Sequence, residues 1–320
     1  MPTHQQHEQV HTAEHAIDVG APAEAVYGVI SDVAAWPRRF APTVHVQYLA
    51  RDGREERIAI WATANGEVKT WVSRRVLDPE ALRIEFRQEV SQPPVAAMGG
   101  TWTVQRVSEH ACRVLLSHDF RAVPDDPDAA QWIRRAIDRN SAQELAGIKT
   151  LAECGARDAE LLLSFEDEVR IEAGAGDVYR FLYRAADWPT LLPHVSRLDL
   201  TESAPGVQSM EMDTVAADGS VHTTASVRIC FPENLIVYKQ TAVPRLMTLH
   251  TGEWRLAERD GGVLAVAVHT VSVNREAIEP VLGAGSTVAD AHAYLRRVLG
   301  ANSLATLRHA KEYAESRAAA

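Results

Sequence analysis

The stretch TWVSRR places Trp71, Ser73 and Arg75 at alternate positions, continued by Leu77. In a β-strand such residues share one face. An indole ring there offers an apolar wall. A hydroxyl and a guanidinium beside it can hold enolate and carbonyl oxygens as negative charge develops. The alternative for Arg75 is a solvated strand residue. A second stretch, TASVRICF, keeps Ser226 and Arg228 but has Thr224 where the tryptophan stood. Its other face, Ala225, Val227, Ile229 and Phe231, is the apolar one, so the simple core rule turns Arg228 outward.

Two histidines have matching surroundings. His118 shares a strand face with Val114, Leu116 and Phe120, and His269 in LAVAVHTV follows 269 − 118 = 151 residues later. A histidine on an apolar strand face is ordinarily a hydrogen-bonded core residue. An imidazole also titrates near neutrality, so it can take a proton alpha to a carbonyl and return it to a departing hydroxyl. Asn140, three residues after Ile137, and Asn302, four after Val298, fall on the inward side of helical patterns. A helical Asn facing inward needs a partner, which substrate or ordered water can supply. Asp138 is a possible extra acid, but Gly300 stands opposite it in the second copy. Trp36, Phe40, Phe86, Met98 and Trp102, with Trp188, Met247 and Trp254, read as core or as cavity wall. HEQVH, His7 to His11, matches the zinc-protease pattern, but that motif works on a helix. Here it lies in a polar terminus just before a strand, so no metal is expected. His4, His7, His11 and His15 read as part of a tail. No phosphate-binding loop, dinucleotide fingerprint or nucleophile elbow is present.

The elements that must position these residues occur twice. SDVAAWPRRF is echoed by AADWPTLLPH, with Trp36 and Trp188 separated by 188 − 36 = 152 residues. Val26 and Tyr27 match Val178 and Tyr179, and Trp102 and Trp254 are again 152 apart. Ser73, Arg75, Pro79 and Leu82 match Ser226, Arg228, Pro232 and Leu235. The final helices align Asn140 with Asn302, a spacing of 302 − 140 = 162, so about ten residues are inserted before the second one. Four coincidences in order make a tandem repeat. In each copy an alternating strand precedes a helical stretch (Ala23 to Val33 in the first), and short strands follow between RDG, NGE, DPE and SEH turns. Pro127 to Glu153 reads as one amphipathic helix of about 40 Å. An antiparallel sheet that must cover so long a helix curls around it and leaves room for a cavity. The predicted class is α+β: a tail over 1–11, one domain over 12–154, a linker over 155–160 and a second domain over 161–320.

Bulk properties narrow the function. The 320 residues carry a formal charge of −10, which argues against nucleic acid as the main partner. No apolar run approaches the ~20 residues of a membrane span, and the first residues lack a signal-peptide core. Cys112, Cys154 and Cys230 are too few and too scattered for a disulfide framework, which fits a reducing cytoplasm.

The repeat, the Trp-Pro turn and TWVSRR together resemble the di-domain aromatase/cyclases of bacterial type II polyketide synthases. The resemblance spans the chain after its first dozen residues. The Trp-x-Ser-x-Arg strand and the Asn-Ser of the last helix are its more specific parts. It implies two tandem helix-grip (START or Bet v 1-like) domains, with the arginines Arg75 and Arg228 inside the pockets. It implies ring closure, at C7–C12 in di-domain members, and dehydration of a poly-β-ketone on the phosphopantetheine arm of an acyl carrier protein. Other synthase components are further implied partners, and no cofactor is. His118 takes the place of a histidine that some single-domain relatives pair with the arginine. Arg75 with Ser73 would polarise the carbonyl, His118 would move protons, and Trp71 would set the bend of the chain. Arg38 and Arg39, where the second copy has Thr190 and Leu191, would meet an acidic carrier. Two alternatives remain at this point: a non-catalytic carrier of a hydrophobic molecule, and a division of labour in which one domain catalyses and the other is a structural or docking partner.

Overall fold

The structure is a computed structural model describing residues 9–123, 127–154, 159–215, 219 and 221–319. The chain separates into two compact units, Met1–Gly155 and Ala156–Ala320.

In the first unit β1 (His11–Val19) leads to α1 (Ala23–Ser31) and the one-turn helix α2 (Trp36–Arg39). Six strands follow: β2 (Thr43–Asp52), β3 (Glu55–Ala64), β4 (Glu67–Asp78), β5 (Arg83–Val90), β6 (Val95–Ser108) and β7 (Ala111–Ala122). The long helix α3 (Pro127–Cys154) closes the unit. All seven strands form one antiparallel sheet in the order β1-β7-β6-β5-β4-β3-β2.

The second unit repeats the plan. Strand β8 (Leu162–Ile171) precedes α4 (Ala175–Tyr183) and α5 (Trp188–Leu191). Strands β9 (Val195–Ala204), β10 (Val207–Val215), β11 (Val221–Phe231), β12 (Leu235–Ala242), β13 (Met247–Arg259) and β14 (Gly262–Val273) come next. Their order is β8-β14-β13-β12-β11-β10-β9. The short helix α6 (Ile278–Leu282) occupies the inserted stretch ahead of the final helix α7 (Val288–Ala318). A capping box of Thr287 and Asp290 starts α7, satisfying its first free N–H groups. Both units are helix-grip folds, as expected.

The Trp-Pro repeat has a local cause. Pro37 and Pro189 sit in the first turn of α2 and α5, where no hydrogen bond from their nitrogen is needed. The preceding indoles donate to carbonyls near the end of the previous helix, Trp36 Nε1 to Ile30 O at 3.1 Å and Trp188 Nε1 to Phe181 O at 3.2 Å. Between β3 and β4, Asn65 and Gly66 take φ of 52° and 86°, the left-handed pair a tight hairpin demands.

The inward stripe of α3 runs Ile133, Ala136, Ile137, Ser141, Leu145 and Ile148, all buried, at the spacing of one helix face. In the first unit the main core joins Val26, Ile30, Ile84, Trp102, Leu116 and Ile148.

One boundary differs from expectation. Strand β1 already includes His11, which stacks on Phe120 at 5.2 Å, so the HEQVH segment ends in a strand rather than a helix. His4 and His7, and most of the expected linker, lie outside the described residues. Among the described residues no three His, Cys, Asp or Glu side chains are placed to hold a metal ion. No described helix is long and apolar enough to cross a membrane.

Candidate active site

Between the first sheet and α3 lies a cavity of about 140 Å³. A cavity of about 150 Å³ holds one benzene ring, so this space fits a single six-membered ring rather than a whole extended chain. Trp36, Trp71, Met98 and Trp132 supply apolar wall. Lys69, Gln88, His118, Asn140 and Glu144 supply polar groups to the same wall.

The two titratable groups best suited to proton transfer are both shifted by burial. His118 has its pKa lowered to about 4, and its Nδ1 is buried without a hydrogen-bond partner. Its ring meets Phe86 edge-on at 5.5 Å. Glu144 has its pKa raised to about 8. At neutral pH the carboxyl therefore keeps its proton while the imidazole lacks one. The same wall thus presents a neutral carboxyl and a neutral imidazole. Glu144 was not foreseen from the sequence. The available signal was its spacing, four residues after Asn140 and seven after Ile137, which puts a carboxyl on the buried stripe of α3.

Asn140 lines the cavity and donates from Nδ2 to Thr63 O at 3.2 Å. Trp36, Trp71 and Met98 also line it. Phe40 and Trp102 lie in the core instead, Phe40 packing on Trp36 at 5.4 Å between ring centres. Phe86 packs against that core and against His118 rather than facing the cavity.

Arg75 and Ser73 share the inward face with Trp71, but both are outside the cavity wall. Arg75 is 2% exposed. It donates to Glu56 at 3.2 Å, Ile30 O at 3.2 Å and Ser31 O at 3.3 Å. Its guanidinium lies 5.1 Å from the centre of the Trp36 ring. Burial lowers its pKa to about 10 against the opposing pull of Glu56. Ser73 donates its hydroxyl to Arg87 O at 3.2 Å. Arg75 instead links the end of α1 to Trp36, which does face the cavity. The physical reason is Glu56, which β3 places directly opposite Arg75.

The second unit brings Arg228, Ser226 and His269 together on its inward face, all buried. Arg228 donates from Nη2 to Leu182 O at 2.5 Å and lies 5.5 Å from the Trp188 ring centre. It faces inward against the simple core rule; Val227 and Ile229 on the opposite face are buried as well. Gln208, not a carboxylate, stands opposite Arg228, and burial alone leads the lowering of its pKa. His269 contacts Tyr238 and His250, neither of which was singled out from the sequence. Asn302 is half-buried on α7, and Trp254 belongs to the second core.

Of the two arginines expected to meet a carrier, Arg38 is exposed. Arg39 is half-buried, donating to Val29 O at 3.0 Å and pairing with Asp32 at 3.2 Å, so its charge is engaged within its own turn. On the opposite face of the first sheet a groove of about 540 Å³ is lined by charged side chains such as Arg74, Arg87 and Asp119. Arg87 and Asp119 form an ion pair at 2.6 Å, as suits a solvated surface.

The family described as "polyketide cyclase / dehydrase and lipid transport" has a sequence profile that matches residues 10–153. The chain is 48% identical over 307 residues to the granaticin polyketide synthase bifunctional cyclase/dehydratase of Streptomyces violaceoruber, covering 96% of this chain and 95% of that protein. It is 46% identical over 310 residues to the actinorhodin polyketide synthase bifunctional cyclase/dehydratase of Streptomyces coelicolor, covering 94% and 96%. Among solved structures it is similar to the di-domain ARO/CYC BexL from the BE-7585A pathway, at 55% identity and a TM-score of 0.84 over 95% of this chain and 99% of that one. It is also similar to the di-domain ARO/CYC StfQ from the steffimycin pathway, at 37% identity and a TM-score of 0.85 over 96% and 100%.

Proposed function

The chain belongs to the family of bifunctional polyketide cyclase/dehydratases, and on that premise we propose that its first domain closes the first ring of a poly-β-ketone held on an acyl carrier protein. The observation that carries this reading is that His118 and Glu144 line one ring-sized cavity together with tryptophan walls; burial there favours the neutral form of both groups. Protons between two ketones are already acidic, so the base need not be strong. His118 takes such a proton, and the enolate carbon attacks a carbonyl further along the chain. Glu144 gives its proton to the alkoxide that forms, leaving a β-hydroxy ketone ring. The tryptophan walls fold the chain so that one carbon meets one carbonyl. Arg75 acts through Trp36, fixing the wall. Loss of water then completes the aromatic ring.

The C7–C12 register is part of the proposal and is drawn from the family. So is docking of the carrier beside Arg38, the exposed basic residue at the Trp-Pro turn. Arg38→Glu is expected to weaken binding of an acidic carrier; an unchanged affinity contradicts that placement. A purely binding protein would have little use for a wall that includes Lys69, Gln88, His118, Asn140 and Glu144.

The test is product analysis of a reconstituted minimal polyketide synthase with wild type, His118→Gln and Glu144→Gln. Each variant is expected to lower ring closure by about 10²-fold or more, the usual scale for losing one proton-transfer group. Products then revert to the mis-cyclised compounds formed without the protein. Wild-type product from both folded variants would overturn the assignment.

A further inference from the structure

The second domain is not a copy of the first at the inward face. Where the first has Trp71, Phe86 and Met98, the second has Thr224, Tyr238 and His250. The register supports the match: Phe86 lies opposite Arg75 and Gly100, and Tyr238 lies opposite Arg228 and Gly252. Three apolar side chains have become three that carry a hydroxyl or an imidazole.

These groups meet. The Tyr238 hydroxyl is 3.1 Å from His269 Nδ1 and 3.5 Å from His250 Nε2, and the two imidazole nitrogens are 3.0 Å apart. Gly252 makes this possible, because a Cβ there would stand 2.3 Å from the Tyr238 oxygen. Phe165 stacks on His269 at 5.0 Å and fixes the plane of its ring. The charged groups around His269 are Asp167 and Arg296, themselves paired at 2.6 Å.

Five polar atoms on this face are buried without a hydrogen-bond partner: Ser226 Oγ, Arg228 Nη1, Gln240 Oε1, His250 Nδ1 and His269 Nε2. Ser226 is opposite Gln240, Arg228 opposite Tyr238, and Gly252 opposite both Tyr238 and His269, so the five belong to one patch. An unsatisfied buried polar group is destabilising, and folded proteins rarely leave many. Such a concentration is what a polar ligand would complete.

We propose that Tyr238, His250 and His269 form a second proton-transfer site that dehydrates the β-hydroxy ketone ring, so that the two domains divide the two reactions. This rests on the polyketide reading above. One free imidazole nitrogen accepts the proton alpha to the ketone. The Cα–H and Cβ–O bonds break as a C=C bond forms. The hydroxyl, protonated through the Tyr238–imidazole hydrogen bonds, leaves as water. The unpartnered Arg228 Nη1 and Ser226 Oγ hold the ketone oxygen as it gains enolate character. The step is redox-neutral and needs no co-reactant.

The test uses the full-length chain with the minimal synthase, comparing wild type with Tyr238→Phe, His250→Met and the double variant, which install the first domain's residues. Expected is continued ring closure in the correct register, with at least a tenfold rise in the ratio of hydrated ring, one water heavier, to aromatised ring. The smaller change, Tyr238→Phe, keeps the ring and guards against misfolding, and thermal midpoints near wild type verify each fold. Wild-type ratios from the double variant would overturn the proposal. So would a loss of ring closure in step with dehydration, since that marks a structural effect. A wild-type protein that leaves the synthase's shunt products unchanged is a different failure: it removes the polyketide reading itself, and this inference with it.

Discussion

Burial fixes the protonation of Glu144, and that has a consequence for stability separate from catalysis. A carboxyl raised to about 8 binds a proton in the folded state that the unfolded chain releases near 4.5, the ordinary glutamate value. The folded protein therefore loses stability relative to the unfolded chain as pH rises between those two values, at up to about 1.4 kcal/mol per pH unit. Glu144→Gln removes this cost. Its thermal midpoint is expected to match or fall below wild type near pH 4.5 and to gain on wild type steadily up to pH 8. A difference independent of pH contradicts the shift. Arg75 shows what a single residue hides from sequence reading. Its face was legible from the strand period, but its partner was not, because Glu56 in REERI looks like any solvated strand charge until register sets it opposite. Removing either member of this buried pair would leave the other charge uncompensated.

At the scale of elements, the strands and helices followed from periodicity because each buries one side only. The Trp-Pro turn, the Asn-Gly hairpin and the long stripe of α3 were readable for that reason. Contacts across strands were not, since they depend on register and on bulges such as those beside Ser73 and Ser226. Hence the Tyr238–His250–His269 group was missed although His269 was noted. Gly100 and Gly252 illustrate the same point. Each sits in mid-strand, where glycine is unfavourable, because the aromatic ring of the neighbouring strand crosses it. A Cβ at Gly100 would be 2.0 Å from Ser117 O and 2.6 Å from Phe86 Cζ. Gly100→Ala is expected to destabilise by about 1–3 kcal/mol, the range for overpacking. A denaturation midpoint equal to wild type would contradict this close approach of the Ser117 backbone and the Phe86 ring.

At the scale of the whole molecule, duplication explains the shared plan of the two units. The 152-residue spacing of the tryptophan pairs makes the tandem plain in the sequence alone. What the spacing could not convey is how the two interiors came to differ. The first has a ring-sized cavity with aromatic walls and an acid–base pair. The second has a crowded polar face. The central claim is that ring closure takes place inside the first cavity. Ala136 on α3 lines it and is 8% exposed, so a phenyl group there would fill the space that the ring needs. The most direct measurement is the product profile of the minimal synthase with Ala136→Phe, after circular dichroism and thermal melting verify the fold. Return to the mis-cyclised products formed in the absence of the protein is expected. The correct first ring, formed at the wild-type rate by the folded variant, would place the chemistry elsewhere and contradict the claim.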